Sequence, residues 1–184
     1  TMVQQASSEL GLYLLNSLNP FRIEGQKSIV LETLQQRGWR SPDWLVFPAG
    51  NLGNTSAFGK ALIEAHGAGL ITKLPRLLAV QAAGASPFEL AYQNQFETLI
   101  PQRPETLATA IRIGNPVSYG RAIKSIRATD GVVSKVSDAE ILEAKAIVDR
   151  AGIGAEPASC ASIAGVKRAV DSGLIRSGDN VVAI

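Results

Sequence analysis

Apolar residues in this chain fall into short unbroken runs, separated by longer stretches in which they recur every three or four positions. The runs are Leu12-Tyr13-Leu14-Leu15, Trp44-Leu45-Val46-Phe47, Leu77-Leu78-Ala79-Val80, Val132 to Val136 and Val181-Val182-Ala183-Ile184. Each is short and bounded by turn or charged residues, the pattern of strands buried on both faces. Between them the spacing predicts helices over 24–37 (stopped at Gly38), 56–66, 87–96, 119–129, 138–151 (with Ser137 as N-cap) and 158–172. Asn16-Ser17-Leu18-Asn19-Pro20 reads as a polar loop. The stretch 99–114 contains Pro101 and Pro104 and reads as a loop with one short helical turn. Strands alternating with helices predict an α/β fold: three αβα layers around a mostly parallel sheet. The final apolar run stops without a turn or polar tail, so the chain is expected to be a fragment of a longer polypeptide.

Composition narrows the class. The chain has 184 residues, 46% of them hydrophobic and 18% charged, which excludes a disordered segment. The formal net charge of +2, from 18 Lys+Arg against 16 Asp+Glu, is scattered, without the basic run that would bind nucleic acid or acidic lipid. No apolar stretch approaches the length of a membrane span, and Thr1-Met2-Val3-Gln4-Gln5 has no signal-peptide pattern. Cys160 is the single cysteine, so there is no internal disulfide, and Cys and His do not cluster as metal ligands. The expectation is a soluble protein of a reducing, cytoplasmic compartment acting on a small molecule, with no nucleic-acid or membrane partner and no metal.

Two loops carry candidate chemistry. Gly50-Asn51-Leu52-Gly53-Asn54 follows a predicted strand and opens a predicted helix. Glycine lets the backbone approach a ligand closely, and the helix behind adds free N–H groups and its positive dipole end, so the loop can cradle an anion. It is neither a Walker loop nor a Gly-x-Gly-x-x-Gly, and an ordinary Gly- and Asn-rich turn also fits. Upstream, Asn16, Asn19 and Arg22 sit between a strand and the helix with Gln26 and Lys27. Arg22 can grip a phosphate or carboxylate with two donors. Alternatively, the asparagines shape turns and Arg22 pairs with Glu24. His66 suits the C-terminal dipole of its helix, Cys160 reads as a packed thiol, and Glu156 before Pro157 suits a helix start. Arg112 reads as a structural salt bridge of the long loop, and Trp39 and Trp44 as packing.

Taken together, these stretches resemble the threonine synthase family. Tyr13 to Lys27 looks like its substrate-loop segment, and Pro48-Ala49-Gly50-Asn51-Leu52-Gly53-Asn54 like its cofactor-phosphate loop. Gln81-Ala82-Ala83-Gly84-Ala85-Ser86-Pro87, Arg103 to Pro116 and Glu156-Pro157-Ala158-Ser159 match in the same order. The resemblance implies a pyridoxal 5'-phosphate (PLP) enzyme of fold type II, a lyase converting O-phospho-L-homoserine and water to L-threonine and phosphate. By position, Gly50, Asn51, Leu52, Gly53 and Asn54 would wrap the cofactor phosphate, while Asn16, Arg22 and Asn51 would hold the substrate phosphate. The family's Schiff-base lysine belongs to an upstream segment with no counterpart here, and none of Lys27, Lys60, Lys73, Lys124, Lys135, Lys145 and Lys167 has its context. Residues 1–184 are therefore expected to be one partial domain, most of the larger C-terminal lobe, inactive alone and homodimeric when complete. A serine/threonine dehydratase-like lyase and a non-catalytic anion-binding remnant are the alternatives.

Overall fold

The structure is a computed structural model that describes residues 2–17 and 19–184. Four parallel strands form one sheet: β1 (Trp44–Pro48), β2 (Arg76–Ala82), β3 (Val132–Val136) and β4 (Val181–Ala183), in the order β3-β2-β1-β4. Seven α-helices accompany them among the described residues: α1 (Met2–Leu10), α2 (Pro20–Gln36), α3 (Gly53–Gly67), α4 (Pro87–Gln93), α5 (Tyr119–Ala128), α6 (Asp138–Arg150) and α7 (Pro157–Asp171). The period-2 geometry of a strand divides each apolar run between two cores. Leu45 and Phe47 of β1 join Leu77 and Ala79 of β2 under α2, α3 and α5. Trp44 and Val46 join Leu78 and Val80 under α6 and α7. This is the three-layer α/β arrangement that the pattern predicts. α3 and α5 come so close that a Cβ added at Gly59 would lie 2.2 Å from the Ser125 Cβ.

The helix α1 has no counterpart in the sequence expectation, and two further elements differ from it. Leu12–Leu15 is not a strand: Leu12, Tyr13 and Leu15 are exposed and the segment pairs with no other strand. An apolar run becomes a strand only where a sheet edge offers a ladder. This one leads into the helical layer, where the Asn19 Nδ2 donates to the Leu14 carbonyl at 2.6 Å. The second difference is the start of α2, at Pro20 and not Glu24. Asn19 caps the helix, its Oδ1 accepting from the Phe21 N–H at 2.9 Å, and Pro20 occupies the first turn, where its missing N–H costs nothing. Arg22 is therefore a residue of the first helical turn, not of a loop.

The sheet order places β2 and β3 on one side of β1 and β4 on the other. Open parallel sheets bind ligands outside the carboxyl ends of their strands at such a reversal. Pro48 at the end of β1 and Ile184 just after β4 both line a cavity there.

Candidate active site

That cavity has a volume of about 330 Å³, within the range of small-molecule sites. One wall is the turn from β1 into α3, and the opposite wall is the start of α2. The rim is completed by Ala110 and Ile111 of the long loop and by Glu156, Ala158 and Ser159 at the start of α7.

The first wall is held from the core. Leu52 adopts the left-handed conformation (φ 64°, ψ 15°) although it is not glycine, and its side chain is buried. A leucine in this region is strained and persists only where its surroundings over-determine it. Leu52 occupies the N-cap position of α3 and no side chain caps the helix, while Gly53, Asn54 and Thr55, which carry its first N–H groups, line the cavity. Such N–H groups, with the positive end of the helix dipole, favour an anion. Gly50 passes so close to the long loop that a Cβ on it would meet the Ala110 carbonyl oxygen at 3.1 Å. The Asn51 carbonyl accepts from the Ser118 N–H at 3.2 Å.

Behind this wall lies Gln81, completely buried at the end of β2. Its Nε2 donates to the Ala49 carbonyl at 3.0 Å, one residue before the turn. Its Oε1 accepts from the N–H groups of Phe88 and Glu89 at 2.9 and 3.0 Å, capping α4, whose N-cap Ser86 makes no side-chain capping bond. Sequence reading assigned Gln81 no role. The available signal was a lone amide at the end of an otherwise apolar strand.

The second wall presents Ser17, Arg22, Ile23 and Gln26. Glu24, the sequence neighbour expected to neutralise Arg22, is engaged elsewhere: Lys27 at 2.7 Å and Lys60 bind its carboxylate. Hydrogen bonds donated by Lys27 and then Lys60 hold the Glu24 carboxyl below its ordinary value of 4.5, and donating to Glu24 and then Glu64 raises the Lys27 ammonium. Arg22 is left with no ion-pair partner among the described residues. Asn51 Nδ2 reaches Ser17 Oγ across the cavity at 3.4 Å. Two more polar atoms of the lining residues, Gln26 Oε1 and Thr55 Oγ1, are buried with no partner among the described residues.

Of the residues singled out from sequence, Gly50, Asn51, Leu52, Gly53, Asn54, Arg22 and Glu156 are brought together around this cavity. Asn16 is not among its lining residues; its carbonyl accepts from the Asn19 N–H at 3.0 Å, and Ser17 reaches the cavity instead. Leu18, within the quoted loop, lies outside the described residues. None of the seven lysines lines the cavity. His66 is exposed in the last turn of α3, and Cys160 is buried, where desolvation pushes its thiol up. Arg112 forms no salt bridge among the described residues. The long loop is held instead by Asp138, which accepts from Thr106 Oγ1 at 2.5 Å and from the Leu107 N–H at 3.1 Å. Trp44 does pack in the core, under the Arg76 guanidinium at 4.3 Å, whereas Trp39 is partly exposed in a left-handed turn. Among the described residues no cluster of His, Cys, Asp and Glu could hold a metal ion, and no helix is long and apolar enough to cross a membrane.

Comparison with known proteins supplies the family. Residues 1–184 match the pyridoxal-phosphate dependent enzyme family along their whole length. The chain belongs to that family. Among curated relatives, threonine synthase of Methanocaldococcus jannaschii is 44% identical over 185 residues, covering 100% of this chain and 46% of that protein. Threonine synthase of Mycobacterium tuberculosis H37Rv is 45% identical over 170 residues, covering 92% of this chain and 45% of its own length. The chain thus spans less than half the length of these relatives. In fold it matches the crystal structure of Escherichia coli threonine synthase, with a TM-score of 0.73 at 19% identity over 96% of this chain and 40% of that one. Threonine deaminase isoform 2 from Solanum lycopersicum is as similar in fold, with a TM-score of 0.79 at 19% identity over 98% of this chain and 50% of that one.

Proposed function

We propose that these residues are part of a threonine synthase, a PLP-dependent lyase that converts O-phospho-L-homoserine and water to L-threonine and phosphate. The curated relatives carry that name at 44% and 45% identity. The observation that carries the reading in this structure is Arg22, a cation without an ion-pair partner among the described residues, facing a cavity whose other wall is an uncapped helix start.

The residues present fit the phosphate end of PLP. The left-handed turn at Leu52, the free N–H groups of α3 and the unpartnered Thr55 hydroxyl are all donors or donor-positioning features gathered on one wall. Gly50, Asn51, Leu52, Gly53 and Asn54 would hold that phosphate largely through the backbone. When bound, PLP supplies an electron sink that stabilises negative charge on the substrate carbons. The protein's part is to place and discharge the second phosphate. Arg22 and Asn51, with Ser17 beside them and Asn16 in the adjacent turn, would orient the phosphate of the substrate. The guanidinium would stabilise the charge that grows on it as the carbon–oxygen bond breaks. No lysine of this chain is assigned to the chemistry. A catalytic lysine supplied by another part of the full-length protein, a cytoplasmic location and a homodimer belong to the same proposal.

A dehydratase acting on serine or threonine has no second phosphate and leaves Arg22 without a task. Arg22→Ala in the full-length enzyme separates the two readings. We expect kcat/KM for O-phospho-L-homoserine to fall by roughly two orders of magnitude, the size of one strong charge-assisted contact, with PLP affinity unchanged. A change below threefold would sink the reading.

A further inference from the structure

We propose that the Thr55 hydroxyl is a further donor to the phosphate held at the start of α3, so that the anion cradle extends one residue beyond Gly50–Asn54. This rests on the reading of that loop as the cofactor-phosphate site. Thr55 is fully buried, it belongs to the cavity wall, and its Oγ1 has no hydrogen-bond partner among the described residues. Leaving a buried hydroxyl unpaired is costly, and most such groups in folded proteins have a partner. A helical hydroxyl ordinarily bonds back to the carbonyl four residues earlier. Ser56, next in the chain, does this, donating to the Leu52 carbonyl at 2.8 Å. The equivalent acceptor for Thr55 is the Asn51 carbonyl, and that oxygen accepts from the Ser118 N–H instead. Asn51 precedes the N-cap, outside the helix, so its carbonyl is not presented to Thr55 as in a regular helical turn, and Thr55 belongs to the wall of the cavity into which the free N–H groups of an uncapped fifteen-residue helix open. An anionic oxygen there would accept both kinds of bond.

The consequence is opposite signs for stability and affinity. Valine is nearly isosteric with threonine and removes only the hydroxyl, so Thr55→Val should leave the ligand-free protein at least as stable as the wild type. It should also weaken the phosphate site. The experiment compares the wild type, Thr55→Val and Thr55→Ser for binding of pyridoxine 5'-phosphate and of pyridoxine, by equilibrium dialysis, together with thermal unfolding without ligand. Pyridoxine phosphate has no aldehyde, so attachment to lysines does not obscure the result. The expected outcome is a phosphate preference in the wild type, about tenfold weaker pyridoxine phosphate binding in Thr55→Val, unchanged pyridoxine binding, and recovery in Thr55→Ser. Binding by Thr55→Val within twofold of the wild type overturns the role of Thr55 and leaves the loop reading standing. So does a Thr55→Val protein that is destabilised or unfolded while Thr55→Ser is not, since that marks a structural hydroxyl. A wild type that binds the two ligands equally overturns the loop reading and this inference with it.

Discussion

Replacing Gln81 by methionine tests whether one buried amide supports the first wall of the cavity. The two side chains are similar in volume and flexibility, so packing at the end of β2 changes little and the effect isolates the hydrogen bonds. Three are lost: one to the Ala49 carbonyl at 3.0 Å, and two from the N–H groups of Phe88 and Glu89 at 2.9 and 3.0 Å. Gln81 is fully buried, so water cannot replace them without opening the structure. Each buried backbone group left unpaired costs about 1–3 kcal/mol. Partial relaxation of the α4 start, where Ser86 offers no side-chain cap, brings the sum to roughly 3–6 kcal/mol. That is a large share of the ~5–15 kcal/mol by which domains are stable. Urea denaturation followed by far-UV circular dichroism gives the difference directly, provided the m-value is unchanged. A loss below about 1 kcal/mol would refute the assignment of Gln81 as the tie between the anion loop and α4.

Three more substitutions test the packing and the charges. Gly25→Ala and Gly59→Ala are chemically identical changes in neighbouring helices, with opposite expected signs in the same urea assay. A Cβ at Gly25 meets nothing within 4 Å, so Gly25→Ala should stabilise by about 0.5–1 kcal/mol through helix propensity. A Cβ at Gly59 lies 2.8 Å from the Ser125 Cα, so Gly59→Ala should destabilise by about 1–3 kcal/mol by forcing α3 and α5 apart. For Glu140, burial pushes the carboxyl up. The Ser137 N–H and hydroxyl, with the charges of Arg168 and Lys167, outweigh burial and hold it below its ordinary 4.5. A depressed carboxyl contributes stability above its unfolded value that is lost as pH falls through the folded one. The stability difference between wild type and Glu140→Gln, measured by urea titration at several pH values, should be full above pH 4.5 and shrink below it.

The layers and the strand-to-helix turn at Gly50–Asn54 were legible because each rests on a local rule. An apolar run between turn signals gives a buried strand, as at β1 and β2, and the N-cap expected at Ser137 forms at α6, where Glu140 completes a capping box. Leu12–Leu15 satisfies the same strand rule and fails, because pairing depends on an available edge that no local pattern reports. The start of α2 was misplaced by treating Asn19-Pro20 as loop ending, when Asn at the cap and Pro in the first turn also spell a helix beginning. Two features on which the proposals rest are tertiary and left no trace in the sequence. The release of Arg22 depends on Lys60, from another helix, taking Glu24. The Thr55 hydroxyl has no partner among the described residues because Asn51, outside the helix, turns its carbonyl to Ser118.

The two walls of the cavity differ in how they are fixed, and on the threonine synthase reading the difference matches two anions with different fates. The Gly50–Thr55 wall is continuous with β1 and the core, through Leu52, Gln81 and the Asn51–Ser118 bond, so its donors are set before any ligand arrives. A preorganised donor set loses little on binding and suits a phosphate that stays through every turnover. The Arg22 wall hangs on the first turn of α2, after a segment whose Leu12, Tyr13 and Leu15 lie exposed. It is tied to α3 by Lys27–Glu64 at 2.6 Å and by Lys60–Glu24. Pairs with carboxylates this exposed are screened by solvent and contribute little. Ile23, Val30 and Leu34 anchor α2 in the core, so what is lightly held on this wall is the exposed Arg22 side chain itself, and only that side chain need move for a dianionic product to leave. An equally rigid second wall would hold the product as tightly as the cofactor and turn each cycle into inhibition. On the threonine synthase reading, a preorganised cofactor wall facing an exposed, mobile Arg22 side chain therefore suits turnover.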